Sequence, residues 1–431
     1  MQAIRASILH FVADPRADAD NAYRYHVDGL LLVDQGKVAA CGDYTDLAGS
    51  IPPGAVLTDY SDYLLIPGFI DSHVHYPQTD IIASHGAQLL DWLERFTFPQ
   101  EMRFADAEYA RETAEFFISQ LLRNGTTSAL VFATIHPQSV DAIFGAADKR
   151  QMRLVAGKVM MDRHAPAGLT DSAQSSYDDS VELIDRWHHQ RRLHYAVTPR
   201  FAATSSEEQL HMAQALVNEH PDVYLQSHVA ENPGEVAWVK ELFPWSRSYL
   251  DVYDHFGLLG DRSVYAHCIY LDQADREQMA RSGTAVSFCP TSNLFLGSGL
   301  FDMQSALEHD LGLSIGTDVG GGTSFSMLRT LHEAYKVCQM TSYNLSPLQA
   351  VYQATQGAAE ALYLDQWIGN FEQGKEADFV VLDLNATELM QRRMACAESL
   401  EDQLFALIIL GDDRNVHATH VLGKCVYRRE H

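Results

Sequence analysis

The sequence predicts an α/β protein: a (β/α)8 TIM-like barrel carrying a small β-sandwich domain formed from both termini. Three observations predict it. Eight short apolar runs recur between residues 64 and 318, longer helical patterns separate them, and short strand-like pieces stand at both ends of the chain. At 431 residues there is enough chain for one large domain and a smaller one. The expected boundaries are 66–367 for the barrel, with 1–65 and 368–431 forming the two parts of the small domain.

The elements read in order as follows. Near the start, DGLLLVDQGKVAACG (28–42) suggests two strands around a turn at Asp34-Gln35-Gly36. The first barrel runs are LLIPGFIDSHVH (64–75), TSALVF (127–132), RLVAGKVMM (153–161) and LHYAVTPR (193–200). VYLQSHVAE (223–231), SVYAHC (263–268), TAVSFCP (284–290) and GLSIGTD (312–318) complete the eight. Most are rich in Val, Ile and Leu without strict alternation, as strands buried on both faces are. Over 106–123, Tyr109, Phe116, Phe117, Leu121 and Leu122 line one side of a helix that Asn124-Gly125 stops. Before 207–219, Thr204 with Glu207 and Ser205 with Glu208 have capping-box spacing. At the end, GKEADFVVLDL (374–384) and HVLGKCVYRRE (420–430) resemble the amino-terminal strands. Alternation of this kind leads to a barrel, with a doubly wound sheet as the alternative that pattern alone leaves open.

Composition excludes several classes of function. Lys and Arg total 31 against 57 Asp and Glu, a formal net charge of −26. Such a surface repels nucleic acid and anionic membrane, so neither is an expected partner. Six scattered cysteines with no C-x-x-C pair fit a reducing compartment. The run Ile8 to Ala13, broken by His10, is too short for a signal peptide, and no apolar run approaches the ~18 residues of a membrane span. The expected location is the cytoplasm.

The chemistry is carried by strand ends. His73 and His75, two apart on one strand, point to the same face and reach one ion together. With 20 His in the chain, chance supplies about one such pair, so the pair alone carries little. Position adds weight: His228 ends the fifth run, His267 the sixth and Asp318 the eighth. In a (β/α)8 barrel those carboxyl ends meet at one face, where active sites lie. Any one of these histidines alone reads as a hydrogen-bonded core residue; the set reads as a catalytic metal site. Glu231, three residues past His228, is placed for a proton shuttle or for contacts with backbone amides at a helix start. The amphipathic spacing of Leu89, Trp92, Leu93 and Phe96 reads as a core stripe rather than a lid. Gly320-Gly321-Gly322 reads as close backbone packing beside the metal, rather than an anion cradle.

These strings resemble a known family. PGFIDSHVH (67–75), the His228 and His267 strand ends, GTD (316–318) and GKEADFVVLD (374–383) are similar to the amidohydrolase superfamily over nearly the whole chain. HYPQ (75–78), LLDWLERFTFPQE (89–101), LLRNGTTSALVF (121–132), GKVMMDRHAP (157–166), TPRFAATSS (198–206) and FCPTSNLFLGSGLF (288–301) resemble its guanine deaminases. The resemblance implies one Zn2+ per chain, with Fe2+ possible, ligated by His73, His75, His228 and Asp318. Zinc lowers the pKa of a bound water from 15.7 to about 7. Asp318 would take that water's proton, Glu231 would protonate the ring nitrogen, and His267 would hydrogen-bond the water or the developing intermediate. Gln78, Arg200 and Phe201, with His75 and His228, would hold guanine, Arg200 donating to its carbonyl oxygen. Taken alone, Arg200 has a barrel-rim salt bridge as its lesser reading, and Phe201 reads equally as core. Lys158 lies on the third strand, whereas relatives that bridge two ions place the lysine on the fourth. It therefore reads as a structurally paired lysine, and a single ion follows. The resemblance further implies a homodimer acting in purine catabolism or salvage, with guanine as its small-molecule substrate.

Two rivals stand beside this reading. One is an aminohydrolase or chlorohydrolase of the same superfamily acting on another purine or a triazine, which Gln78 and Arg200 argue against. The other is a non-catalytic scaffold, whose signature would be lost ligands; every ligand is present. The unrelated cytidine-deaminase fold needs H-x-E and P-C-x-x-C, and neither string occurs.

Overall fold

The computed structural model describes residues 1–18, 21–86 and 88–430. Strands β1 (Gln2–Phe11), β2 (Tyr23–Asp34), β3 (Lys37–Asp43) and β4 (Val56–Pro67) come from the amino-terminal end of the chain. After one residue β4 runs into β5 (Phe69–His75), the first barrel strand. Barrel strands β6 (Thr126–Phe132), β7 (Arg153–Gly157), β8 (Val159–Met160), β9 (Leu193–Pro199) and β10 (Tyr224–Val229) follow. The barrel ends with β11 (Ser263–His267), β12 (Ala285–Phe288) and β13 (Leu313–Ile315). All seven residues of β5, of β6 and of β9 are buried, which explains why their sequences are apolar without alternation.

Neighbouring barrel strands are parallel and pair in chain order, with β8 continuing the third strand against β9. The ring is nearly closed between β13 and β5, where the Asp318 amide donates to the His73 carbonyl at 2.8 Å. The eight strands are those the apolar runs predict, and the doubly wound alternative falls away. The termini build one mixed seven-stranded sheet, in which β14 (Phe379–Leu382) pairs with β4 and is followed by β15 (Val416–Val421) and β16 (Lys424–Arg428).

Three local readings change. Phe116 is 52% exposed, because it stands about 100° round helix Ala107–Arg123 from Phe117 and off the buried face formed by Ala110, Ala114, Phe117, Ile118 and Leu121. Ser206 caps helix Glu207–Glu219 by accepting from the Gln209 amide, so neither Thr204 nor Ser205 does. Thr204 instead bonds the Phe201 carbonyl at 3.0 Å within a tight turn. Between β14 and β15 lie two helices, Glu388–Met394 and Leu400–Leu410. The second packs on barrel helix Met327–Met340, with the Phe405 and Tyr335 rings 4.9 Å apart.

Candidate active site

The carboxyl ends of the barrel strands bring the expected residues together. His73 and His75 sit on β5, and their Nε2 atoms lie 3.2 Å apart. His228 Nε2, from β10, lies 3.1 Å from His75 Nε2. Asp318 Oδ1 stands 3.4 Å from His73 Nε2 and 3.5 Å from His75 Nε2. Ligands about 2.0–2.1 Å from one tetrahedral ion are separated by about 3.3 Å, so these four donors match the size of a single divalent cation. The imidazoles are also held in the ligating form. His228 Nδ1–H donates to the Arg200 carbonyl at 2.6 Å, which leaves the Nε2 lone pair facing its partners. Burial holds all three imidazoles below the usual histidine range, hence neutral.

Burial alone would raise Asp318, but His73 and His267 outweigh it and keep the carboxyl below its usual range, ionised. Asp318 (φ 50°) and His267 (φ 72°) both occupy left-handed backbone, a conformation worth roughly 1–3 kcal/mol of strain that persists only where surroundings impose it. Behind Asp318, Asp71 is fully buried and accepts from the Thr317 amide at 2.9 Å, tying the loop after β13 to β5. Cys289 also lies within reach of His73, His267 and Asp318, but burial pushes its thiol well above the usual range and leaves it protonated.

Above this floor lies a cavity of about 40 Å3. Glu231 enters it, with Oε1 accepting from Ser298 Oγ at 3.0 Å and Oε2 3.4 Å from His267 Nε2. Burial pushes its carboxyl up to about 7, the range a neutral-pH proton shuttle needs. The contacts with backbone amides fall to Glu235 instead, which accepts from the Glu231 and Asn232 amides. His267 Nδ1 donates to Asn293 Oδ1 at 2.8 Å. Burial would lower His267, but Glu231 and Asp318 prevail and raise it.

The walls include Gln78, Arg200 and Phe201, as expected, each at most 5% exposed. Leu89, Trp92 and Leu93 form a further wall. Their stripe is buried as a core stripe is, but it faces the cavity, so the purely structural reading is corrected. Gly320 and Gly322 do serve close packing. A Cβ on Gly322 would lie 1.8 Å from the Thr317 carbonyl oxygen, and one on Gly320 would lie 2.7 Å from that of Gln78. Lys158 is fully buried and paired with Asp171, away from the floor. Sequence reasoning missed Glu101, buried behind the wall, where it meets both Arg200 and Gln78. Only the string containing it, LLDWLERFTFPQE, pointed there.

Residues 64–426 match the model of the amidohydrolase family. The chain belongs to the amidohydrolase family. It is 51% identical to the guanine deaminase of Escherichia coli (strain K12) over 100% of this chain and 98% of that protein. The E. coli guanine deaminase structure superposes with a TM-score of 0.98, at 50% identity and with full coverage of both chains. A guanine deaminase from C. acetobutylicum, solved with guanine bound in its active site, gives a TM-score of 0.88 at 28% identity. That match covers 99% of this chain and 100% of the other.

Proposed function

We infer that this protein catalyses the hydrolytic deamination of guanine to xanthine and ammonia. One observation carries the reading: a four-donor metal cradle, a carboxyl raised to about 7 and a buried Arg200–Gln78 wall share a single cavity. Guanine deaminases with the same architecture support it.

The residues divide the work as follows. His73, His75, His228 and Asp318 would hold one divalent ion, zinc by the donor set, with iron(II) the alternative that the same donors accept. When bound, that ion acidifies water from a pKa of 15.7 to about 7, so hydroxide is available near neutrality. Asp318, ionised and beside the floor, accepts the proton of the attacking water. Glu231 delivers a proton to the ring nitrogen adjoining the amino-bearing carbon, so the electron pair displaced by attack does not remain as an uncompensated anion. His267, raised and hydrogen-bonded to Asn293, donates toward the oxygen being added. The carbon–oxygen bond forms, the carbon–nitrogen bond to the amino group breaks, and the relayed proton leaves with ammonia. Arg200 and Gln78 offer N–H donors to the guanine carbonyl. Adenine would set an amino group against the same donors, and a buried donor left without an acceptor is a strong basis for rejection.

Ammonia release from guanine, adenine, cytosine and a triazine, with metal content of the same sample, tests this. Turnover of guanine alone with about one zinc per chain is the expected result. Turnover of a different substrate would overturn the roles of Gln78 and Arg200, and no turnover in a metallated sample would overturn the enzyme reading. We further propose a homodimer, to be read by sedimentation equilibrium. Among the described residues no helix is long and apolar enough to cross a membrane.

A further inference from the structure

Glu101 touches no part of the cavity surface, yet it controls two residues that do. Its carboxylate accepts from both terminal nitrogens of Arg200, the Nη2 contact being 3.0 Å, and from Gln78 Nε2 at 3.1 Å. Glu101 is 1% exposed and Arg200 2%. The guanidinium also lies over the Phe98 ring, 5.6 Å from its centroid, so the same short helix Phe98–Met102 grips it from two sides.

These contacts fix which atoms the wall presents. A carboxylate only accepts, so the Gln78 end beside Glu101 must be the NH2 group. The opposite end must be the oxygen, because the Gly320 amide donates to it at 3.2 Å. One of the two Gln78 amide protons is used by Glu101 and one remains. Two of the five Arg200 protons are used and three remain. Every proton left over is a donor, and Gln78 Oε1 is held away by Gly320. Without Glu101, only the Gly320 amide would keep the Gln78 amide from turning over, and Arg200 would stand as an unneutralised buried cation.

We propose that Glu101 is the positioning residue that makes this wall read a carbonyl oxygen rather than an amino group. The proposal rests on the guanine reading and deepens it. Local geometry shows how Glu101 reaches its place. Residues 89–102 form one continuous helical run with a wider, π-type turn at Leu93–Thr97. In an unbroken α-helix Leu93 and Glu101 would differ by about 80°; absorbing one extra residue in the wider turn reduces this to about 20°. The wall residue Leu93 and the carboxylate behind the wall thereby share one face.

The test measures KM and kcat for guanine, and the inhibition constant of 2,6-diaminopurine, which carries an amino group where guanine carries the carbonyl. Wild type and Glu101→Gln are compared at equal metal content. The proposal expects Glu101→Gln to raise the guanine KM more than it lowers kcat. It also expects the preference for guanine over 2,6-diaminopurine to fall by about tenfold or more. Glu101→Asp, which keeps the charge on a shorter arm, should fall between the two. Guanine and 2,6-diaminopurine weakening by the same factor would reduce Glu101 to a structural ion pair and overturn the proposal. Should Glu101→Gln fail to fold, Glu101→Asp carries the same comparison, and an unchanged preference there overturns it. Wild-type protein that does not deaminate guanine would sink the functional reading itself, a result distinct from an active wild type with an unmoved preference.

Discussion

At the scale of single residues, the site separates side chains that would hold the ion from those that move protons, and substitution distinguishes them. Glu231 meets Ser298 and His267 but none of the three clustered imidazoles. Glu231→Gln should therefore keep its metal while turnover falls by about 10²–10⁴-fold. Metal content and kcat measured on one sample check this, and full activity would remove Glu231 from the mechanism. His73→Ala removes a donor from the centre of the cradle, so metal and activity should disappear together; a metallated, active variant would refute the ligand assignment. His73, His75, His228, His267 and Asp318 were legible in the sequence because strand position carries the information: a strand end on a barrel is already an address. Glu101 was not. Its partner Arg200 is 99 positions away, and nothing in local spacing marks a carboxylate whose role lies in what it meets across the fold.

Elements place these residues, and the loop after β13 shows how narrow the tolerance is. Gly322 passes so close to the Thr317 carbonyl that a Cβ would sit 1.8 Å from its oxygen. Both atoms belong to the loop that carries Asp318, so Gly322→Ala must push that backbone apart. The expected loss is about 1–3 kcal/mol of stability, with weaker metal retention. A control exists in helix Pro137–Lys149, where a Cβ on Gly145 would meet nothing within 4 Å. Gly145→Ala should be neutral or stabilise by about 0.4–1 kcal/mol. Thermal unfolding and chelator titration of both variants check the pair, and equal behaviour would show that the loop is not tightly packed. The glycine run was legible as a site of close approach. The eight barrel strands were legible too, since burial on both faces writes itself into composition. Elements whose signals compete locally were harder. Five consecutive candidates, Thr204 to Glu208, offered two capping pairs, and only the tertiary path of the chain selected Ser206. The helices at 388–410 escaped notice among the strands around them for the same reason: the second takes its apolar face from the barrel helix it covers, and the first packs on the second.

For the whole molecule, the question is what keeps a sheet made from both termini fixed to the barrel so that β4 can feed β5. Leu122 on the barrel side accepts from Thr419 Oγ1 of the sheet at 2.6 Å. The larger tie is ionic. Arg153 and Arg192, at the amino ends of barrel strands, both pair with Glu376, and Arg192 also pairs with Asp378. Glu376 is 13% exposed at its side chain and the other three are 8% or less. Removing one partner from a buried pair strands the other, at a cost of about 3–5 kcal/mol. Arg153 would be left with no carboxylate among the described residues, keeping the Trp367 ring, 4.8 Å from its guanidinium carbon, and His194, 3.1 Å from Nη1 and itself held well below the usual histidine range by burial and by Arg153. Glu376→Gln should therefore lower the thermal midpoint at neutral pH while leaving the cavity and its metal intact. The pH dependence identifies the cause. Burial would raise Glu376, but Arg192 and Arg153 prevail and hold it below its ordinary value of 4.5. A carboxyl depressed in the folded state contributes stability that is fully present above 4.5 and is lost as pH falls through the folded value. Wild type should lose midpoint steeply on acidification below 4.5, and Glu376→Gln should lose less over the same interval, so that the two curves converge. Parallel curves would mean that the Glu376 charge does not hold sheet to barrel, and that the join rests on the apolar contacts around β4 and β14.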